Sequence, residues 1–498
     1  MITELLIYLL VVIIIYHIFE YMKIQFHYDK CGIRYKPGVP IFGNTFSSIF
    51  GRRHFIDDLD AVYKAFPNDK YVGFFDGMKP ILLIRDPELM KMITIKDFNH
   101  FVNRKPFFPK EIEPLLGSSV LSLEGDEWRK MRSRLTVAFS AAKMKGMWPS
   151  MRAVSDQVME YLKDHQSEDI EVADLMRRYN TDVIANAGMG LQVNSLKDRT
   201  NEFFMAGQQA ISFTIWRKIY YFLTIQFPII AKLMQFLGLQ LLPPAGTVFF
   251  RKIVSDSIAY RKKNNIIRHD FINILTEISE DWTLDEITGQ IYFAFLASYE
   301  SSTSTLSLCI HELALNPDIE EKLYQEVRSH QERAGELTFE DLPELKYLDC
   351  VLSEISRKWS AAVIMDRVCS SGYVLPPPRE GGKEYEVKVG DTIYNVVNPL
   401  HLDPNYFSDP EVFDPTRFSE GNKQNIKSFT YMPFGMGPRN CLGMRFAIIK
   451  MKVLLYHLVL NYKIVRCEKT VEPIRLQPLD FSIRAVGNTY VRFKARAE

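Results

Sequence analysis

This chain carries almost no surplus of charge: 61 lysines and arginines stand against 60 aspartates and glutamates in 498 residues, a formal net charge of +1. A strongly basic or acidic balance would point to nucleic acid or to acidic partners, so neither class is expected. Cysteine is sparse. Cys31, Cys309, Cys350, Cys369, Cys441 and Cys467 lie far apart with no CxxC pair among them, which excludes a disulfide framework and fits a reducing, cytosol-facing compartment. No low-complexity linker or internal repeat interrupts the sequence beyond its first 44 residues. A phosphate-binding glycine loop is also missing: Gly435-x-Gly437 lacks a third glycine, since position 440 is Asn, and no mononucleotide-fold pattern accompanies it. The chain is therefore expected to hold no flavin or nicotinamide of its own.

What is present is an ordinary packing composition, 47% hydrophobic and 24% charged, read as one large domain from residue 45 to 498. Ahead of it, an apolar run from Leu5 to Phe19 extends back across Glu4 to Ile2 and is ended by Lys23. As a helix this run covers about 22 Å, slightly short of a bilayer core, so Tyr8, Tyr16 and Tyr21 would sit near the interfaces. No basic segment precedes it and no small-residue cleavage site follows, which favours an uncleaved anchor over residues 1–22 rather than a signal peptide. Lys23, Lys30, Arg34 and Lys36 then place the following chain in the cytoplasm. The segment 23–44 closes on KPGVPIFGN, Lys36 to Asn44, whose two prolines and two glycines suggest a stiff elbow.

Strand-like runs are few: YVGFF near Tyr71, ILLIRD near Ile81, the region Tyr385 to Val397 and the tail from Phe481 to Phe493. Helical periodicity fills most of the rest, so the expected class is mainly α with small β-sheets. The longest helix is expected to start at the capping box Thr283-x-x-Glu286 and to stop at Asn316-Pro317. Its middle reads SYESSTST from Ser298 to Thr305, and polar groups inside a buried helix need a reason. Back-bonding to helix carbonyls is one.

The densest chemical signal is FGMGPRNCLG, Phe434 to Gly443. Apolar residues recur after it at Leu442, Phe446, Ile449, Val453 and Tyr456, one face of a helix. Cys441 would stand at that helix's start, where free N–H groups and the positive dipole end favour a thiolate. Gly435, Gly437 and Gly443 would permit close backbone approach, Phe434 would cover the cysteine's flank, and Arg439 offers a fixed cation to a carboxylate. A lone cysteine is more often a small buried hydrophobe. The pattern F-x-x-G-x-R-x-C-x-G, however, would arise by chance in on the order of one in ten thousand chains of this length.

This segment resembles the haem-binding signature of the cytochrome P450 superfamily, with Cys441 as the iron ligand. The resemblance implies the family's fold, a triangular-prism helical domain with haem b between the long central helix and the cysteine helix. Other motifs follow in the family's order. Ala297, Ser298, Tyr299, Glu300, Ser301 and Ser302 resemble the oxygen-activation motif, in which Glu300 and Ser301 would deliver protons. Serine stands at 301 for the usual threonine, and Ser298 stands for the usual glycine. Glu354-x-x-Arg357 with Arg417 of DPTRF resembles the buried structural charge network. Trp128 and Arg132 of EGDEWRKMR, together with Arg367 of RKWSAAVIMDRVC and Arg439, would bind the haem propionates. In that last segment Ser360 and Ala361 replace common prolines.

By family position the cavity walls would include Phe101 to Val120, Phe203 to Thr214, Phe293 to Ser302, Ala361 to Met365 and Pro478 to Ser482. The apolar stretch from Phe203 to Phe250, with its LLPPAG loop, would dip into the bilayer surface or form an ordinary helix pair. The chain looks most like insect microsomal enzymes that oxidise xenobiotics. That implies a monooxygenase at the endoplasmic reticulum membrane, inserting one oxygen atom of dioxygen into lipophilic small molecules such as insecticides or plant toxins. Electrons would come from NADPH through the flavins of a separate NADPH–cytochrome P450 reductase, with cytochrome b5 as a second candidate donor. Lys130, Arg439, Arg445 and Lys450 are candidate docking charges. The alternatives are the same chemistry on an endogenous steroid, hormone or fatty acid, a haem-thiolate isomerase, and a non-catalytic ligand sink.

Overall fold

The computed structural model describes residues 2–166, 168–210, 214–278, 281–478 and 482–496. Among these residues helices dominate, and nine short strands form three small sheets. They are β1 (Tyr71–Asp76), β2 (Lys79–Ile84), β3 (Ile170–Glu171), β4 (Ile364–Val368), β5 (Tyr373–Leu375), β6 (Tyr385–Val387), β7 (Thr392–Val396), β8 (Tyr462–Val465) and β9 (Tyr490–Ala495). The largest sheet has the order β1-β2-β7-β4, with β2 parallel to β7 and the other pairs antiparallel. The second runs β3-β9-β8, and β5 pairs with β6. Strand β4, which periodicity does not reveal, carries Arg367 opposite Ile393.

The long central helix spans Leu284–Leu315. Its start is the expected capping box: Glu286 N–H donates to Thr283 Oγ at 3.2 Å, and Thr283 N–H donates to Glu286 Oε2 at 2.8 Å. Asn316 ends it and Pro317 opens the next helix, Pro317–Ala334, where a missing N–H costs nothing. The central helix is buried on nearly every side from Ser302 to Ala314, against the helices Val172–Val183, Lys346–Lys358 and Met444–Asn461. Leu306, Leu313, Leu348, Val351, Val453 and Leu454 form the heart of this core with no exposed surface. Each such side chain contributes roughly 1.5–3 kcal/mol of hydrophobic burial.

A second core lies on the larger sheet around Phe74, Phe75, Leu83, Ile84 and Ile393. The amino-terminal helix, Ile2–Cys31, reaches it and has two distinct halves. Ile7, Val12, Ile15, Tyr16 and Phe19 are exposed. Tyr21 and Tyr28 are buried on the sheet: Gly38 N–H donates to the Tyr21 hydroxyl at 2.6 Å, and the Tyr28 phenol donates to the Ile81 carbonyl at 3.1 Å. The elbow that follows is docked as well, because Asn44 exchanges hydrogen bonds with the Phe75 backbone at 2.8 Å each way.

Among the described residues, no single helix is long and apolar enough to cross a membrane. The helices Ile215–Gln226 and Pro228–Phe236 reach that length and composition together, bent by 115°. Trp216, Ile229 and Phe236 on this pair are each more than three-quarters exposed.

Candidate active site

Between the middle of the central helix and the loop preceding helix Met444–Asn461 lies a mainly apolar cavity of about 410 Å³. Cys441 opens onto it, and its accessible surface faces this space. The loop that holds the cysteine is built from short backbone bonds. Gly435 N–H donates to Met432 O at 2.9 Å, Cys441 N–H to Phe434 O at 2.8 Å, and Asn440 N–H to Gly437 O at 3.0 Å. Gly435 and Gly437 have φ of 70° and 71°. A side chain at Gly437 would collide with the Thr94 carbonyl, so glycine is needed there for close approach as well as for conformation. The helix proper begins at Met444, three residues after the cysteine, with Gly443 as its N-cap. Burial pushes the Cys441 thiol up, while the Gly443 N–H, Arg132 and Arg104 act to favour the thiolate.

A group of guanidinium side chains gathers on this side. Arg132 donates to the Asn440 carbonyl at 2.9 Å and to Asn440 Oδ1 at 2.6 Å. Arg104 donates to the Arg439 carbonyl at 2.9 Å. Arg439 is buried, stacks 4.0 Å over the Trp128 ring and donates to the Val102, Val120 and Leu123 carbonyls. Arg367 is fully buried on β4. Its Nη1 donates to the Asp366 carbonyl, while Nε and Nη2 have no partner among the described residues. Burial, together with the other guanidiniums, pushes Arg439 and Arg367 well below the ordinary arginine value. A guanidinium does not release its proton at neutral pH. The rim therefore holds more positive charge than its neighbours neutralise.

Behind the loop stands a buried brace. Arg357 Nε and Nη2 each donate to Glu354 at 2.7 Å, and Nη1 donates to the His401 carbonyl at 2.9 Å. Arg417 lies 3.4 Å from Glu354, and the Asp414 N–H donates to the same carboxylate oxygen at 2.9 Å. The chain continues to the cysteine loop through His401, whose Nε2 accepts the Met432 N–H at 2.9 Å. Burial and Arg357 hold His401 down at about 3, so it stays neutral and can accept. His401 has no motif of its own in the sequence, and only the tertiary contact reveals it.

On the central helix, Ala297 and Ser301 are exposed only toward the cavity, despite lying in mid-helix. Ser301, Thr303 and Thr305 back-bond to the carbonyls of Ala297, Tyr299 and Ser301. Glu300 does not face the cavity. It accepts from Arg484 at 2.7 Å and from Ser482 at 3.3 Å on the opposite side of the helix. Thus Glu300 and Ser301, adjacent in sequence, point to different surroundings, as a 100° step per residue requires.

Comparison with known proteins closes the question of family. Residues 34–491 match the family model described as Cytochrome P450. The chain is 35% identical to "Probable cytochrome P450 9f2" of Drosophila melanogaster, over 93% of this chain and 94% of the relative. It is 34% identical to "Cytochrome P450 9e2" of Blattella germanica, over 92% of each. To "Cytochrome P450 6k1" of the same organism it is 31% identical, over 92% of this chain and 90% of the relative. The chain belongs to the cytochrome P450 family.

As a cytochrome P450 it is a monooxygenase, and the family implies haem with a cysteine thiolate. The residues present suit that group. A thiol opens onto an apolar cavity rimmed by Arg104, Arg132 and Arg439, and Arg367, buried on β4 with two donor atoms that have no partner among the described residues, adds to a cationic group that is the complement of a buried dianion.

Two expectations about the surroundings need correction. Arg439 and Lys450 are buried, so neither is a docking charge; Lys130 and Arg445 are exposed. Phe203 and Phe204 do not line the cavity either, since Phe203 packs edge-on against Phe250 and Phe295 in the core. Of the expected walls, 211–213 and 479–481 lie outside the described residues, and so does Phe481 at the head of the expected carboxyl-terminal strand. Val120, Phe293, Ala294, Ala361 and Met365 do line the cavity.

Proposed function

We propose that this cytochrome P450 oxidises lipophilic foreign compounds while attached to the endoplasmic reticulum membrane with its catalytic domain in the cytosol. The observation that carries the reading is the pairing of Cys441 with a mostly apolar cavity of about 410 Å³. Haem bound there through a thiolate supplies reductive activation of dioxygen and transfer of one oxygen atom. Cys441 Sγ is the iron ligand. Arg132, Arg367 and Arg439, with Trp128, hold the propionates, and Phe434 covers the cysteine's flank. Glu354, Arg357 and Arg417 fix the loop that aims the sulfur. On the opposite wall, Ala297 and Ser301 border the space for dioxygen and substrate. Glu300, paired with Arg484, acts by steadying this turn of the helix and its charge.

The polar lining of the cavity lies mainly on the arginine side and along Ser298, Ser301, Ser302 and Thr305, so a substrate meets mostly hydrophobic wall and binds by area rather than by charge. Exposed Trp216, Ile229 and Phe236, with exposed Ile7, Val12, Ile15, Tyr16 and Phe19 on the amino-terminal helix, fit a protein that meets a bilayer at two places. The named relatives are insect enzymes, which supports xenobiotic substrates. As the sequence carries no phosphate-binding glycine loop, the enzyme takes NADPH-derived electrons from a separate flavoprotein reductase, with cytochrome b5 as a second donor, through the cysteine side where Lys130 and Arg445 are exposed.

The test is reconstitution with an NADPH-dependent reductase and turnover against a panel of insecticides, plant alkaloids and endogenous steroids. Product from the first two groups supports the reading. Turnover confined to steroids assigns an endogenous role, and ligand binding with neither NADPH use nor product assigns a ligand sink.

A further inference from the structure

Lys450 lies on helix Met444–Asn461 with no exposed surface. Among the described residues no carboxylate pairs with it. Its one side-chain hydrogen bond among them runs 2.5 Å to Ser298 Oγ on the central helix, 152 positions away in sequence. The Phe446 ring lies 5.7 Å from Nζ, and the Tyr179 phenol donates to the Lys450 backbone carbonyl at 2.7 Å. A cation buried without a counter-ion opposes folding, so its presence calls for a reason outside stability.

The reason lies in the direction of the bond. While it carries its proton, the Lys450 side chain has donors and no lone pair, so Ser298 Oγ must then accept and its own proton must point elsewhere. Ser301, Thr303 and Thr305 spend their protons on carbonyls four residues back, whereas Ser298 makes no such bond. Ser298 also lines the cavity. Glu300, the acid on the same turn, is engaged by Arg484 away from it. Among the described residues, Lys450 and Ser298 are thus a cation–alcohol pair on the central helix, at a site whose other cations lie on the arginine rim.

We propose that Ser298 donates a hydrogen bond into the cavity, toward an oxygen-bearing ligand bound opposite Cys441, and that Lys450 is its positioning residue. This assignment rests on the proposed haem site. Lys450 fixes which of the two hydroxyl roles Ser298 plays, and so keeps a donor aimed at the ligand where an unheld serine would turn back onto its own helix. The residue that departs from the family's usual glycine is, on this reading, a working part of the distal wall.

The test uses the reduced holoprotein with carbon monoxide as the probe. A hydrogen bond to the ligand's oxygen lowers the C–O stretching frequency. Ser298→Ala is expected to shift the infrared band upward, Lys450→Met to shift it in the same direction, and the double variant to move it no further than the larger single shift. Ser298→Thr, which keeps a hydroxyl, is expected to retain the native band. A band unmoved in Ser298→Ala overturns the proposal, and so does a shift in Ser298→Ala that Lys450→Met fails to share while folding normally. Should Lys450→Met not fold, Ser298→Ala against Ser298→Thr decides. Failure of the underlying haem assignment looks different: the native protein itself would then lack the visible band of a thiolate-ligated carbon monoxide complex.

Discussion

Arg357 and Glu354 meet through two hydrogen bonds of 2.7 Å, each side chain with no exposed surface, one helical turn apart on Lys346–Lys358. The same guanidinium grips the His401 carbonyl, and the His401 ring receives the Met432 N–H two residues before Phe434. The cysteine loop is thereby tied to a rigid helix through backbone as well as side chains.

Arg357→Leu should leave the buried Glu354 without its two short guanidinium bonds, held only by the Asp414 N–H and the more distant Arg417. Removing one member of such a pair costs about 3–5 kcal/mol. The expected outcome is a protein that accumulates without haem or with a sharply lowered melting temperature. Normal haem content and unchanged melting would show that the brace is dispensable.

Cys441→Ala should abolish the reduced carbon monoxide band at about 450 nm, the mark of thiolate ligation. Turnover should be lost with it. A retained band would move the ligand assignment to another residue.

Gly437→Ala should be costly although it adds a single methyl. The position has φ of 71°, and a Cβ would strike the Thr94 carbonyl. Backbone strain of this kind costs about 1–3 kcal/mol, and here it falls on the loop that aims Cys441. Lower haem retention and a lower melting temperature are expected; wild-type values for both would mean the loop relaxes without consequence.

Lys450 gives a pH dependence with a definite sign. Burial lowers it from the ordinary 10.5 to about 7. Between those values the unfolded chain binds a proton that the folded chain does not, so this group makes stability rise with pH from about 7 toward 10. Below that window the cost of burying the cation is fully present. Lys450→Met should therefore raise stability at pH 7 by on the order of a few kcal/mol and flatten this part of the denaturation-versus-pH curve. A destabilised Lys450→Met would show that the ammonium is better accommodated than its isolation implies.

Deleting residues 2–19 should move the protein from the integral membrane fraction to one that high salt or mild alkali extracts. The carbon monoxide band should survive, because Tyr21 and Tyr28, which bind the helix to the sheet, remain. Undiminished integral behaviour would place the main membrane contact on the pair Ile215–Gln226 and Pro228–Phe236.

Much of the site was legible because its parts are local. The capping box at Thr283 and the stop at Asn316-Pro317 bounded the central helix to within a residue. Glu354 and Arg357 lie one turn apart, so their pairing needed no knowledge of the rest of the chain beyond Arg417. The spacing around Cys441 contained its own turn chemistry, with glycine at the two positive-φ positions 435 and 437. Less legible were short strands such as β4, whose five residues owe their conformation to pairing with β7 rather than to alternation of their own.

The sequence by itself determined the cysteine loop, the helix it introduces, the long helix opposite and the acid–arginine brace, because caps, turns and helical periods are written within a few neighbouring residues. Tertiary structure alone decided where the polar groups of the distal wall point. Glu300 turns to Arg484 across 184 residues, and Lys450, which in sequence reads as one more solvated lysine, is buried against Ser298 across 152. Those choices depend on which helices pack together and how much water they exclude, and no local spacing carries that information.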